Sequence, residues 1–500
     1  ALRWVGRRQG RGRGLNGRGR IRMTFGLCLA LLAAQARAEA PLVRDLEAAL
    51  AVRALRGARI GALVVARDDG RILYEHDADR HLVPASNQKI LTAIAALSTF
   101  GPAHELSVDV FSERPPSPSG AVDILYVRAG GDPSLTSEDF WRLAADLRNA
   151  GLRHVIGGLA IDDSLFDAER WHPSWGTVSA RAYHAPVGAF TVNYGAFAVE
   201  VQAGDEPGDP VRVGVDPPIP YFRVTNRATT GPARGGNSLV VDRSMATDHE
   251  RVTVTGAVPA ASEQKTYYRS VLDPAAYAGA VLRMQLEANG IVVDGEIRRG
   301  SVPQQAPLLL RFDGHPMSEI VRLFLKYSNN VIAESLVKLL GVRAKGAPGG
   351  WKSGVPAVHE ALAAAGVSTE DMTIVDGSGL SYDNRVSPRQ VVSALQVADA
   401  SFLFGPEFVA SLPIGAADGT LEKRAAIAAS AVRAKTGLLT RVTALSGFAV
   451  LADDTQVVFS VIVNGFRGSA EGAMEAVDGF AGALAAGSAV GQQETAARLP

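Results

Sequence analysis

The run Pro84-Ala85-Ser86-Asn87-Gln88-Lys89-Ile90-Leu91-Thr92-Ala93-Ile94-Ala95-Ala96-Leu97 constrains this chain more than any other stretch. A proline followed by an apolar, alanine-rich run free of glycine predicts the opening turns of a helix. Ser86 and Lys89 are three residues apart, so on that helix they share a face, with Cβ atoms about 5–6 Å apart. Backbone N–H groups at a helix start favour negative charge, and an amine beside the serine can take its proton. The chemistry suggested is acyl transfer through a serine ester. Alone, the pair is read more simply as a helix cap. A second Ser-x-x-Lys, Ser335 to Lys338, sits inside an ordinary amphipathic helix.

Two further motifs decide between these readings. Ser328-Asn329-Asn330 falls between helical segments 317–326 and 331–340, and Lys435-Thr436-Gly437 ends a strand that begins at Val432. With Ser86-x-x-Lys89 they make an ordered set known from serine acyltransferases that bind penicillin. Chemistry assigns the roles. Ser86 Oγ attacks a carbonyl, and Lys89 is the base, kept partly neutral by burial and by the nearby charge of Lys435. Ser328 relays a proton to the leaving amine, and Asn330 donates to the substrate backbone. Lys435 and Thr436 bind a substrate carboxylate, and Gly437 lets the ligand approach the strand edge. The N–H groups of Ser86 and Leu438 hold the oxyanion. The Ser335/Lys338 pair lies within one helix, seven residues after Ser328, so it cannot form a separate cleft wall and is read as structural.

The formal charge of zero hides two unlike pieces. Residues 1–38 carry nine arginines and no acid; removing those nine leaves 42 basic against 51 acidic residues, a net of −9. That sign argues against nucleic-acid binding. A basic stretch to Arg22, an apolar run over 25–34 and Ala36-Arg37-Ala38 predict a secretory signal cut after Ala38. Cys28, the only cysteine, lies in that run, so the exported protein has no disulfide. No later stretch is apolar enough to span a membrane. Neither a phosphate-binding glycine loop nor a metal-ligand cluster is found, so no cofactor is expected.

Along the chain, Ile60 to Glu75 reads as a β-hairpin feeding the Ser86 helix, and 197–267 as short Val/Thr-rich strands without a long helix. After Leu340 helices and strands alternate, ending in a helix over 470–486. From Ser86 to Ser328 is 242 residues, and from Ser328 to Lys435 only 107, so something of domain size is inserted after the first motif.

Those motifs and that gap resemble the low-molecular-mass class C penicillin-binding proteins. These are the D-alanyl-D-alanine carboxypeptidases/endopeptidases of penicillin-binding protein 4 type, peptidase family S13. Gly130-Gly131-Asp132-Pro133, Ala185-Pro186-Val187-Gly188-Ala189, Ala333-Glu334 and Asp376-Gly377-Ser378-Gly379-Leu380-Ser381 agree with the family, whereas Asp313-Gly314-His315-Pro316 departs from it. The resemblance implies an α/β (α+β) fold, with a serine β-lactamase/transpeptidase-like catalytic domain and two nested inserted domains, the innermost mostly β. The corresponding boundaries are an extension and signal at 1–38, catalytic domain at 39–104 and 307–486, inserted domain at 105–196 and 268–306, β-rich domain at 197–267, and a tail at 487–500. It further implies peptidoglycan stem peptides as substrate, β-lactam antibiotics as covalent inhibitors, and a periplasmic or cell-envelope location. An acid in the insertion is expected to meet the free end of diaminopimelate, with Asp162 the candidate and Asp163 beside it. Two rival functions are a serine β-lactamase, disfavoured because no suitable Glu lies between Asn330 and Lys435, and a non-catalytic peptidoglycan-binding protein, disfavoured by the intact Ser86, Lys89 and Lys435.

Overall fold

The structure is a computed structural model describing residues 41–489. The expected signal segment 1–38 and the end of the tail lie outside the described residues. Among the described residues no helix is long and apolar enough to cross a membrane.

The central sheet has five antiparallel strands in the order Val432–Leu439, Val442–Val450, Gln456–Asn464, Arg59–Ala66 and Ile72–His76. It joins the two ends of the chain, with Val64 opposite Phe459. Helices cover both faces, so Val442–Val450 and Gln456–Asn464 are buried at nearly every position and read as mostly apolar, without a polar face. On one face the helices Pro41–Leu50 and Ala470–Ala486 pack Leu42, Leu46, Phe480 and Leu484 against Phe459 and Val461.

The other face carries the nucleophile helix Gln88–Phe100, in which every residue from Gln88 to Leu97 is buried. A helix apolar on all sides must be enclosed on all sides. Four helices, Met317–Tyr327, Asn330–Lys345, Trp351–Ala364 and Pro388–Ala400, surround it.

After Phe100 the chain leaves this body. The strands Glu105–Ser112, Leu125–Ala129, Leu159–Asp162, Ile297–Arg299 and Leu308–Pro316 make a second five-stranded sheet. Leu308–Pro316 pairs with Glu105–Ser112, so the expected boundary at 306 falls before the last strand of this sheet. From Ala196 to Ser270 only short strands occur, in three small sheets. The strands His154–Val155 and Leu159–Asp162 are separated at Gly157-Gly158, where a Cβ on Gly158 would meet Glu296 O at 2.1 Å.

Ile94 is fully buried, whereas Phe402 is fully exposed. Ile94→Ala is therefore expected to lose about 2–5 kcal/mol in urea unfolding. Phe402→Ala should stay within about 0.5 kcal/mol of the parent.

Candidate active site

Ser86 sits in a single 3-10 turn, Ala85–Asn87, that runs straight into the nucleophile helix. Ala85, just before it, adopts φ 47°, a left-handed backbone rarely used by residues with a side chain. Two glycines hold the turn there. A Cβ on Gly379 would meet Ala85 O at 1.9 Å, and one on Gly437 would meet Pro84 O at 2.8 Å. Gly437 thus also makes room for the nucleophile turn itself. Ser86 is half-buried, while its neighbours Asn87, Gln88 and Lys89 are buried. Asn87 Nδ2 ties the turn to the sheet by donating to Ser446 Oγ at 2.6 Å.

The three motifs converge. Lys89 Nζ lies 3.1 Å from Ser86 Oγ, 2.7 Å from Asn330 Oδ1 and 2.8 Å from the Ser378 carbonyl. A neutral amine has two N–H bonds and one lone pair. Asn330 Oδ1 and Ser378 O can only accept, so they take both N–H bonds. The lone pair is left for Ser86, the one neighbour with a proton to give. Burial pushes the Lys89 amine down to about 7, while the Glu334 and Asp376 carboxylates pull it up.

Ser328 closes the helix Met317–Tyr327 in a left-handed conformation, φ 58°, and Asn329 caps the next helix by accepting from Ile332 N–H. That sharp corner aims Ser328 Oγ at Lys435 Nζ, 3.0 Å away. The amide of Asn330 donates to Tyr183 O at 2.9 Å, a contact from the inserted domain that the sequence did not reveal.

Lys435 is buried and donates also to Thr436 O. Burial, then the Lys89 and Arg424 charges, hold its amine well below the usual range. Thr436 Oγ1 bonds Thr420 Oγ1 at 2.8 Å. The motif lies inside its strand, which continues to Leu439. This is the sheet's outer strand, and Ala434 N–H donates away from the sheet to Pro413 O. By the two-residue period of a strand, the N–H of Leu438 leaves on the same open edge, with the side chain of Leu438 exposed.

Asp162 is not brought to this cluster. It is buried at the end of its strand, accepts from Ser164 Oγ and Val302 N–H, and lies 3.7 Å from the Arg128 guanidinium. Asp163 pairs with Arg170 and Arg299. A groove of about 640 Å³ does open beside Ser328 and Asn330, but its acids are Glu138 and Asp216, and four tyrosines, Tyr183, Tyr194, Tyr268 and Tyr327, line it. Lys338, of the second Ser-x-x-Lys, is committed to Asp167 at 2.6 Å and lies over the Trp351 ring.

A half-accessible serine, a buried neutral-capable lysine and an open strand edge define a serine acyl-transfer hydrolase. The chain belongs to the D-Ala-D-Ala carboxypeptidase 3 (S13) family, whose model matches residues 42–485. It is 39% identical to a D-alanyl-D-alanine carboxypeptidase of Actinomadura sp. (strain R39), over 86% of this chain and 82% of that one. It is 26% identical to the D-alanyl-D-alanine carboxypeptidase DacB of Haemophilus influenzae, over 82% and 86%. The crystal structure of penicillin-binding protein 4 from H. influenzae superposes with a TM-score of 0.76 at 25% identity, covering 88% of this chain and 98% of that one.

Lys89 must be neutral to accept the serine proton, so acylation of Ser86 is expected to be fast above about pH 7 and to fall as pH drops through that value. Stopped-flow acylation rates on either side of it check the sign. Lys89→Arg, which stays charged, should cost at least about 10²-fold.

Proposed function

We propose that this protein is an exported serine DD-peptidase. It would remove the terminal residue of D-Ala-D-Ala stems, cut D-Ala-diaminopimelate cross-links in peptidoglycan, and be acylated by penicillin at Ser86. The observation that carries the reading is the Lys89 amine, whose two acceptor-only neighbours leave its lone pair facing Ser86 Oγ. The family membership supports the bond class, and the segment 1–38 supports export. A structure of the H. influenzae penicillin-binding protein 4 holds a β-lactam, which supports the inhibitor.

In this reading Ser86 Oγ attacks the D-Ala carbonyl as its proton passes to Lys89. The oxyanion forms against the N–H groups of Ser86 and Leu438. Collapse breaks the C–N bond, and the leaving amine takes, through Ser328, the proton that Lys89 had gained, which leaves Lys89 neutral again; Ser328 is joined to Lys435. Water then attacks the ester as the neutral Lys89 takes one of its protons, and the acyl–oxygen bond breaks as Lys89 passes that proton to Ser86 Oγ, which restores both groups.

Mass spectrometry after penicillin treatment tests the nucleophile: one adduct on the wild type and none on Ser86→Ala. An adduct on the variant would sink the assignment. Digestion of purified cross-linked and uncross-linked muropeptides reads the two activities separately, and a cross-linked dimer left whole would remove the endopeptidase half.

A substrate carboxylate on Lys435 has a further consequence. It would favour the charged form of Lys435, and that charge, beside Lys89, would hold Lys89 neutral. The acid limb of turnover is therefore expected at lower pH for a D-Ala-D-Ala substrate than for its C-terminal amide. Identical limbs for the two would remove the carboxylate from Lys435.

A further inference from the structure

Glu334 is fully buried one helical turn past Asn330, and nothing in the acyl-transfer chemistry uses it directly. Its carboxylate accepts three N–H bonds: from Ser378 at 2.7 Å, from Gly377 at 3.0 Å and from Trp351 Nε1 at 2.7 Å. The first two come from the turn whose Ser378 carbonyl touches Lys89. The turn is pressed close to the Glu334 helix, since a Cβ on Gly377 would meet Val337 Cγ2 at 2.5 Å and Ala333 O at 2.7 Å. From the other side Thr92, on the nucleophile helix, donates to Gly377 O at 2.8 Å.

The turn has an internal anchor as well. Asp376 is buried and accepts from the N–H groups of Gly379 and Ser381, from Asn384 Nδ2 and from Trp175 Nε1. Asp376 therefore fixes the shape of the turn, and Glu334 fixes where it stands.

We propose that Glu334 is a positioning residue: by holding the N–H groups of Gly377 and Ser378, its carboxylate sets the Ser378 carbonyl against Lys89 Nζ and so aims the amine's lone pair at Ser86. The proposal rests on the reading of Ser86 as nucleophile and Lys89 as base. Without a fixed Ser378 carbonyl, one N–H of the neutral amine has no partner, and the lone pair is free to rotate away from the serine. The charged groups acting with Glu334 are Asp376 in the turn and Lys89, while His172 and Lys338 lie against the Trp351 ring that donates to it. Burial, then Asp376, push the Glu334 carboxyl up to about 7, while its three donors favour the ionised form.

The test uses the full chain carrying Glu334→Gln, Glu334→Asp or Trp351→Phe, with folding checked by circular dichroism. The readout is the second-order rate constant for penicillin acylation across pH. In Glu334→Gln the amide cannot accept at both oxygen positions, so the rate is expected to fall about tenfold or more, the loss of one hydrogen bond to a charged group. Its acid limb should also move to lower pH, because the carboxylate that favours charged Lys89 is gone. Glu334→Asp keeps the charge and should keep the limb while recovering part of the rate. Trp351→Phe deletes one donor to Glu334 and should move the limb the same way as Glu334→Gln, by less. Folded Glu334→Gln with the wild-type rate and limb would overturn the proposal, as would equal rate losses in Glu334→Gln and Glu334→Asp with both limbs unmoved. Should Glu334→Gln not fold, an unmoved limb in Trp351→Phe overturns it. A wild type that penicillin does not acylate would instead sink the reading of Ser86.

Discussion

Burial of the Lys89 amine is the constraint on which the site depends. A fully buried ammonium needs compensating partners, and here three oxygens from three chain segments supply them. Each partner is itself fixed. Ser86 stands on a turn held by Gly379 and Gly437, Asn330 is tied to Tyr183, and Ser378 is held from Glu334. Burial without those partners would leave a lysine permanently neutral and aimless. The carboxylates Glu334 and Asp376 oppose the burial effect and leave the amine near neutrality, where it can both accept and return a proton.

Lys435 shows the same environment without that counterweight. Among the described residues no carboxylate is one of the groups acting on its amine, and two cations are. The two buried lysines therefore differ in what they lack. Lys89 has its acceptors and its counter-charges within the protein, as the proposed role of a cycling base requires. Among the described residues Lys435 has oxygens but no anion acting on it, which fits the proposed binding of a substrate carboxylate.

Much of this was legible in the sequence because the motifs carry local signals. Ser86 and Lys89 are placed by helical spacing, Ser328 and Asn330 by a break between two amphipathic helices, and Lys435 by a β-rich run. Glu334 and Asp376 were visible only as matches to a family pattern, because their work is done across the fold. Glu334 reaches a turn 43 residues away, and Asp376 reaches Trp175 at a separation of 201. No periodicity encodes such contacts. Tyr183 was missed for a related reason: its contribution is a backbone carbonyl, which any residue offers. Asp162 was chosen because the resemblance implies an acid in the insertion, and an acid at a strand end can also cap the loop that follows. Ser164 accounts for it in that way.

The 242-residue separation of the first two motifs costs the fold little, for a geometric reason. The chain leaves the catalytic body after Phe100 and returns at Met317, where Met317 N–H donates to His104 O and Ser318 N–H to Pro102 O. Exit and entry are thus hydrogen-bonded neighbours, and the catalytic body meets the insertion as a closed loop with fixed ends. The strands Glu105–Ser112 and Leu308–Pro316 continue that pairing into the second sheet. Asp132 reinforces the junction from within the insertion by accepting from His315 N–H at 3.2 Å. A rigid stem of this kind determines where the rest of the insertion can stand. It stands with Tyr183 over Asn330 and a tyrosine-lined groove beside Ser328. The insertion is therefore one wall of the groove beside Ser328 and Asn330, and the residues that line that groove come from both bodies.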